Sequence, residues 1–145
     1  MVRGFLKVNE ELDTKLPERQ TKASAGYDFY VVEDVEIPAY GTVMLPTNVK
    51  AYMQEDEVLI LANRSSNPGK KGLILANSIG VIDSDYYGNP DNDGHIMFAF
   101  FNIKEEDITI KKGEAIGQAI FQKYFVTDDD VAEGKRSGGF GSTSK

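Results

Sequence analysis

The sequence predicts an all-β protein, a distorted jelly roll or barrel-like sandwich followed by a flexible C-terminal arm. Short runs rich in β-branched and aromatic residues recur at roughly ten-residue spacing, and turn residues such as Pro38, Gly41 and Pro46 separate them. Convincing helical periodicity is scarce along the chain. With 145 residues, the chain has the length of one domain that can bury a real core.

The elements follow in order along the chain. Strands are predicted in ten stretches, at residues 5–8, 27–32, 35–37, 42–45, 49–52, 58–62, 73–76, 95–101, 108–110 and 115–124. The run VLILA at 58–62 is continuously apolar, which is typical of a buried strand. His95 is expected at the polar end of its strand.

The composition shifts at Thr127, where the chain turns to Asp, Gly and Ser. Such a segment buries too little apolar area to order itself, which predicts a β-domain over 1–126 and an arm over 127–145. Phe140 lies between two glycines in this arm. A lone aromatic in a flexible arm gains most by closing over a ligand, although a plain disordered terminus is the simpler interpretation.

The composition excludes several function classes. The net charge of −7 argues against a nucleic-acid or membrane-surface binder, because both need a basic face. The absence of Cys and the single histidine exclude disulfides, cysteine nucleophiles and multi-histidine metal sites within one chain. No apolar run reaches the length of a membrane span and no signal peptide is evident, so a cytoplasmic location is expected.

The stretch NSIGVIDSDYYG at 77–88 is the strongest candidate site. Turn residues on both sides of Val81 and Ile82 predict a β-hairpin arm with polar groups at its mouth. Asp83, fixed at a strand end, can hold and deprotonate a water, and Tyr86 and Tyr87 can offer a flat wall. Taken alone, the same residues also fit an exposed turn with solvated aspartates.

Three further stretches carry polar groups. Asp28 begins a strand, where its carboxylate suits a hard divalent cation or that ion's water. The segment NRSSNPGKKG at 63–72 combines Arg64, two hydroxyls and backbone amides, a set suited to phosphate oxygens. Gln118 opens the last strand with an amide that can bind phosphate or sugar. Each of these also fits an ordinary surface turn or strand.

Read together, the motifs AGYDFY, RSSNPGKKG, NSIGVIDSDYYGN, GEAIGQ and GGFGST resemble the five ordered motifs of the trimeric dUTPase family. The resemblance spans residues 25–143, and GVIDSDYYG and GGFGST are its most specific parts. It implies a jelly-roll fold, a homotrimer whose three active sites are shared between subunits, and dUTP as substrate. The implied reaction yields dUMP and pyrophosphate, which limits uracil in DNA and supplies dUMP for dTMP synthesis.

The third motif carries the implied base and the nucleoside contacts. Asp83 would activate the water that attacks the α-phosphorus and would accept a hydrogen bond from the sugar 3′-hydroxyl. Tyr86 would pack on the deoxyribose and leave no room for a 2′-hydroxyl. The uracil edge would be read by the hairpin at Asn77, Gly80 and Val81.

The other implied contacts concern the phosphates and the metal. The triphosphate would be bound by Arg64, Ser65, Ser66 and Gln118. Mg²⁺ would be held by the triphosphate directly and by Asp28 through water.

The fifth motif would close over the nucleotide. Phe140 would stack on uracil, while Ser142 and Thr143 cap the γ-phosphate and Gly141 joins the binding segment. Arg136 is favoured as the γ-phosphate contact because a guanidinium binds phosphate in a bidentate fashion.

Several positions depart from the family pattern. Ala115 stands where the family usually has an arginine, and Asn63 stands where a proline usually precedes Arg-Ser. The usual arginine of the fifth motif is Lys135 here, so Lys135 and Arg136 both stay candidates for the γ-phosphate. Residues 89–94 look like a small insertion, interpreted as a longer hairpin loop, with a regulatory protein-binding loop as the alternative.

Two rival functions belong to other classes. A dCTP deaminase shares an Arg-Ser-Ser loop, but GVIDSDYYG, GGFGST and the short chain argue against it. A binding or regulatory protein on the same fold is supported only by the 89–94 segment and the acidic surface.

Overall fold

The computed structural model describes residues 1–136 and residue 138. Its regular structure is almost entirely β, which confirms the predicted fold class. The strands are β1 (Gly4–Lys7), β2 (Tyr27–Tyr30), β3 (Val35–Ile37), β4 (Thr42–Pro46), β5 (Val49–Tyr52), β6 (Glu57–Asn63), β7 (Leu73–Leu75), β8 (Gly80–Asp83), β9 (Met97–Asn102), β10 (Ile108–Ile110) and β11 (Ala115–Lys123). In the described part of the chain, no helix is long and apolar enough to cross a membrane.

The strands form four antiparallel sheets. A four-stranded sheet has the order β2-β11-β6-β8, a three-stranded sheet has the order β4-β9-β7, and β1-β5 and β3-β10 form pairs. Alternate residues of the strands face the core, which includes Phe29, Leu59, Phe98 and Phe100, each at most 1% exposed. The rings of Phe29 and Phe98 meet edge to face at 5.2 Å between centroids, joining the two larger sheets.

The predicted β-hairpin at 77–88 is wrong. The strands on either side of the 77–79 turn belong to different sheets, because β7 pairs with β9 and β8 pairs with β6. After β8 the chain enters a single 3₁₀ turn, Ser84–Tyr86. A local turn pattern shows where the chain reverses, but strand pairing is decided by contacts distant in sequence.

Two smaller expectations also change. The polar segment after β6 is not wholly loop, because Asn67–Lys71 forms one π-helical turn that ends at Gly72 with φ of 65°. His95 precedes β9 instead of belonging to it. Its Nε2 accepts a hydrogen bond of 2.8 Å from the backbone N–H of Asn48, and burial lowers its pKa.

The outer face of the three-stranded sheet is apolar. Cross-strand partners lie on the same face of a sheet, and the outward pairs include Met44 with Ala99 and Ile74 with Phe101, with Thr42 as the polar residue at one end of this face. Met44 is 42% exposed and Ile74 is 37% exposed. A sheet with apolar residues on both faces is typical of one that is covered on both sides.

Candidate active site

Asp83, Asp85 and Tyr86, together with Arg136, form the carboxylate cluster at the end of β8. Asp83 is the last residue of the strand, and the following 3₁₀ turn carries Asp85 and Tyr86. The side chains of Asp83 and Asp85 are 53% and 59% exposed, whereas Tyr86 is only 5% exposed. Two solvent-facing carboxylates therefore stand beside a fixed aromatic ring.

Arg136 joins this cluster from the C-terminal segment. Its Nε donates to Asp85 Oδ1 at 2.8 Å and its Nη2 donates to Asp83 Oδ2. The guanidinium carbon lies 5.8 Å from the ring centroid of Tyr86. The hydrogen bond to Asp85, reinforced by the charges of both carboxylates, raises the pKa of Arg136. Asp85 is a member of the cluster that the sequence reasoning did not assign.

The predicted uracil-reading residues lie on an exposed edge. β8 is the last strand of the four-stranded sheet, with β6 as its sheet neighbour. Val81 is 56% exposed, Asn77 is also exposed, and Gly80 is buried. A Cβ at Gly80 would lie 2.8 Å from the Leu61 side chain, so this position requires glycine for close packing. The outward backbone of an edge strand can hydrogen-bond a ligand.

The second group, the arginine cluster, comprises Asp28, Arg64, Ser65, Ser66 and Gln118. Asp28 is 8% exposed, and its Oδ1 lies 3.7 Å from Nε of Arg64. Gln118 on β11 stands opposite Asp28 on β2. Ser65 is exposed and Ser66 is half-buried.

Backbone carbonyls orient the two long side chains of the arginine cluster. Nη1 of Arg64 donates to the carbonyl of Ala115 at 3.2 Å, so the position of the missing family arginine contributes its backbone instead. Nε2 of Gln118 donates to the carbonyl of Asn63 at 3.0 Å. A Cβ at Gly26 would lie 2.0 Å from Gln118 Oε1, so only glycine leaves room for this amide.

Two asparagines that sequence reasoning did not assign to the site hold the 64–72 segment. Asn67, which is 0% exposed, donates through Nδ2 to Asn63 Oδ1 and to the carbonyl of Ile116, both at 2.7 Å. Asn63 Nδ2 in turn donates to the carbonyl of Leu73 at 2.9 Å. These bonds anchor the segment to β11 and β7. The only sequence signal was an Asn before a Pro in a polar stretch, which is typical of any turn.

The two clusters lie at opposite ends of β6. Asp83 stands opposite Val58 near the start of β6, and Arg64 follows its last residue, Asn63. Val58 and Arg64 are six positions apart along this extended stretch, which corresponds to about 20 Å at ~3.3 Å per residue. Within one chain, the structure therefore separates the predicted base from the predicted phosphate ligands.

The remaining predicted site residues, Phe140, Gly141, Ser142 and Thr143, lie outside the described residues. Of the two candidate cations, Arg136 contacts the carboxylate cluster and Lys135 is exposed.

The described residues contain no group of three or more His, Cys, Asp or Glu side chains able to hold a metal ion. Asp28 offers one buried carboxylate that already faces Arg64. Mg²⁺ commonly keeps several waters and combines one or two carboxylates with substrate phosphates. This donor set fits a magnesium ion that arrives with a triphosphate, not one held by the protein alone.

The all-β fold thus presents an exposed aspartate beside a fixed tyrosine and, separately, an arginine–hydroxyl cluster, the class of site suited to hydrolysis of a nucleoside triphosphate. Comparison with known proteins gives the family. The dUTPase family profile matches residues 13–144. The deoxyuridine 5′-triphosphate nucleotidohydrolase of Lactococcus lactis is 47% identical over 98% of this chain and 97% of its own.

Solved structures agree with this match. The crystal structure of the dUTPase from Streptococcus mutans is 47% identical, with a TM-score of 0.81 over 86% of this chain and 98% of its own. A dUTPase from phage phi11 of Staphylococcus aureus, described with a structural Mg(II) ion, shares the fold with a TM-score of 0.74 at 19% identity, over 92% of this chain and 98% of its own. This chain belongs to the dUTPase family. It is an enzyme, a dUTP nucleotidohydrolase.

Proposed function

We propose that the chain hydrolyses dUTP to dUMP and pyrophosphate through a water activated by Asp83 that attacks the α-phosphorus. The observation that carries this proposal is the position of Asp83, a half-exposed carboxylate at the rigid end of β8, beside the buried ring of Tyr86. A general base requires this combination of fixed position and access to water. The physiological consequence would be less uracil in DNA and a supply of dUMP for dTMP synthesis.

The nucleoside would bind beside the same cluster. Tyr86 would pack against the deoxyribose, and the outward backbone of β8 from Gly80 to Val81, with Asn77, would pair with the uracil edge. A cytosine there would leave donors and acceptors mismatched, which costs more than a missing contact.

The triphosphate would bind to the arginine cluster of another subunit. Arg64 and Gln118 are oriented by backbone carbonyls, and Ser65 and Ser66 add hydroxyls beside them. These groups lie about 20 Å along β6 from the base of their own chain. A substrate whose α-phosphorus meets Asp83 therefore needs the arginine cluster of a second copy.

A homotrimer would bring these parts together. The apolar outer face of the β4-β9-β7 sheet, around Met44 and Ile74, supports such an assembly because it exposes contiguous apolar side chains. The third contribution would be the arm over 127–145, appended to the domain over 1–126. In it, Arg136 would exchange its bonds to Asp83 and Asp85 for the γ-phosphate. Phe140 would stack on uracil, and Gly141, Ser142 and Thr143 would complete the binding segment over the γ-phosphate.

Mg²⁺ would be held by the phosphates, with Asp28 contributing through water. When bound, the ion would neutralise phosphate charge and orient the α-phosphorus for in-line attack. The protein residues position the base, the sugar and the phosphates around it.

The test is Mg²⁺-dependent pyrophosphate release from dUTP, dCTP, dTTP and UTP, with wild type and Asp83→Asn in parallel. We expect release from dUTP, reduced by roughly 10³-fold or more in Asp83→Asn, since the amide cannot accept the proton. A fully active Asp83→Asn would refute the assignment of the base. Ammonia released from dCTP would indicate a deaminase instead.

A further inference from the structure

We propose that Asn92 is a positioning residue for sugar discrimination, because it fixes the phenol of Tyr86 from behind the site. This inference rests on the proposed contact between Tyr86 and the sugar. Asn92 belongs to the 89–94 loop, which sequence reasoning interpreted as a longer hairpin loop or a partner-binding loop.

The 89–94 loop folds inward against the 3₁₀ turn that carries Tyr86. Asn89 is 2% exposed, its N–H donates to the carbonyl of Tyr86 at 3.0 Å, and its carbonyl accepts from the N–H of Asp93 at 2.7 Å. Gly94 has φ of 81°, and a Cβ there would lie 2.6 Å from the carbonyl oxygen of Tyr86. The loop is thus packed directly on the backbone of Tyr86, which requires glycine at this point of closest approach.

Asn92 lies at the centre of this packing. Its Oδ1 accepts from Nδ2 of Asn89 at 2.9 Å and from the N–H of Gly94 at 3.1 Å. Its Nδ2 is therefore directed away from the loop and donates to the hydroxyl of Tyr86 at 2.8 Å. These bonds leave the amide no second orientation, because a flipped amide would place two donors against one another.

The hydroxyl of Tyr86 is held on two sides. It donates to the carbonyl of His95 at 2.7 Å and accepts from Asn92 at 2.8 Å, and burial raises its pKa. A side chain that is 5% exposed and bonded at its far end cannot shift its ring without breaking these bonds. The ring is therefore a rigid wall, which is what exclusion of one extra hydroxyl requires.

The chemistry that this wall would reject is the 2′-hydroxyl of a ribonucleotide. A ribose could be admitted only if the ring shifted from the position that the bonds to His95 and Asn92 fix. Releasing one of the two hydrogen bonds makes that movement easier for UTP and changes little for dUTP, which already fits. If Asn92 has this role, its substitution should change the ratio of kcat/KM for dUTP to kcat/KM for UTP.

The experiment compares kcat/KM for dUTP and UTP in wild type, Asn92→Asp, Tyr86→Phe and the double variant. Asp keeps the acceptor oxygen and the shape of Asn but loses the donor to Tyr86. We expect Asn92→Asp to lower the preference for dUTP over UTP by roughly 3- to 10-fold, the equivalent of one net hydrogen bond. Tyr86→Phe, which also loses the bond to His95, should lower it by at least as much. The double variant should show no loss beyond that of Tyr86→Phe, because Tyr86→Phe already removes the bond to Asn92.

Asp93→Asn is the matched control. Asp93 lies in the same loop, its side chain pairs with Lys50 and not with Tyr86, and Asn tolerates its φ of 58°. The ratio of kcat/KM for dUTP to that for UTP should be the same in Asp93→Asn as in wild type. Equal losses of dUTP and UTP turnover in Asn92→Asp, an unchanged ratio, or additive effects in the double variant would each overturn the proposal. A Tyr86→Ala variant with an unchanged ratio would instead refute the sugar contact itself.

Discussion

Two inactive variants of this chain should restore each other's activity when they assemble together. Asp83→Asn removes the proposed base, and Arg64→Gln removes the guanidinium of the arginine cluster together with its bond to the carbonyl of Ala115. Because these positions lie about 20 Å apart along β6, a subunit's own Arg64 cannot serve its own Asp83. Each site would then take Asp83 from one subunit and Arg64 from another.

The size of the recovery follows from random assembly. In an equal mixture, half of the subunits carry an intact Asp83 and half carry an intact Arg64, so about one quarter of the sites contain both. Asp83→Asn alone should retain roughly one part in 10³ or less of wild-type activity. Arg64→Gln alone should retain roughly one part in 10² to 10³, the loss expected for one transition-state contact. The assay denatures the two variants together, renatures them and measures pyrophosphate release from dUTP with Mg²⁺.

The matched control mixes wild type with the double variant Asp83→Asn/Arg64→Gln. Shared sites again give about one quarter of wild-type activity, whereas sites within one chain give about one half. A mixture of the two single variants that stays as inactive as its components, although mass measurement shows mixed assemblies, would refute the division of the site.

Two other predictions concern assembly and pH. Met44→Asp on the apolar outer face should shift the mass measured by light scattering from the proposed trimer toward monomer, and activity should fall with it. The control Thr109→Lys, opposite Glu36 on the β3–β10 pair, should change neither the mass nor the activity. Burial holds the pKa of His95 below its ordinary value of 6.5, so the unfolded chain binds a proton first, and stability should fall as the pH drops below about 6.5, by up to ~1.4 kcal/mol per pH unit. Denaturant unfolding at about pH 5.5 and about pH 7.5 should show a loss of unfolding free energy at the lower pH that is larger in wild type than in His95→Gln. The glutamine amide oxygen can still accept from Asn48, so the variant removes the titrating group and keeps the hydrogen bond. Equal losses in both proteins would contradict the role of His95.

The strands were largely predictable from the sequence because their signal is local. The stretches β3, β5 and β10 coincide with the predicted ranges, and most others differ by one or two residues at an end. Apolar runs with flanking Gly and Pro contain this information within a few residues. Strand pairing is not contained there, which is why the turn at 77–79 predicts a hairpin in the sequence although it joins two sheets in the structure.

In the site too, residues within short motifs could be predicted from the sequence, whereas residues defined by contacts distant in sequence could not. Asp83, Arg64 and Gln118 were found through motifs of a few residues. Asn67 and Asn92 were not assigned to the site, because their contacts to Ile116 and to the hydroxyl of Tyr86 depend on packing. An asparagine in a polar turn looks the same in sequence whether its amide faces water or holds another side chain.

The acidic character of the chain is consistent with the proposed division of the site between subunits. The carboxylate cluster contains two exposed aspartates, and Arg136 is the cation that contacts both in the described part of the chain. A triphosphate carries several negative charges, so it needs compensation from cations outside this cluster. In the proposed assembly that compensation comes from the arginine cluster of a second subunit and from Mg²⁺. A subunit without its neighbours would then hold a base without a phosphate site, and turnover per chain should fall on dilution wherever the trimer dissociates.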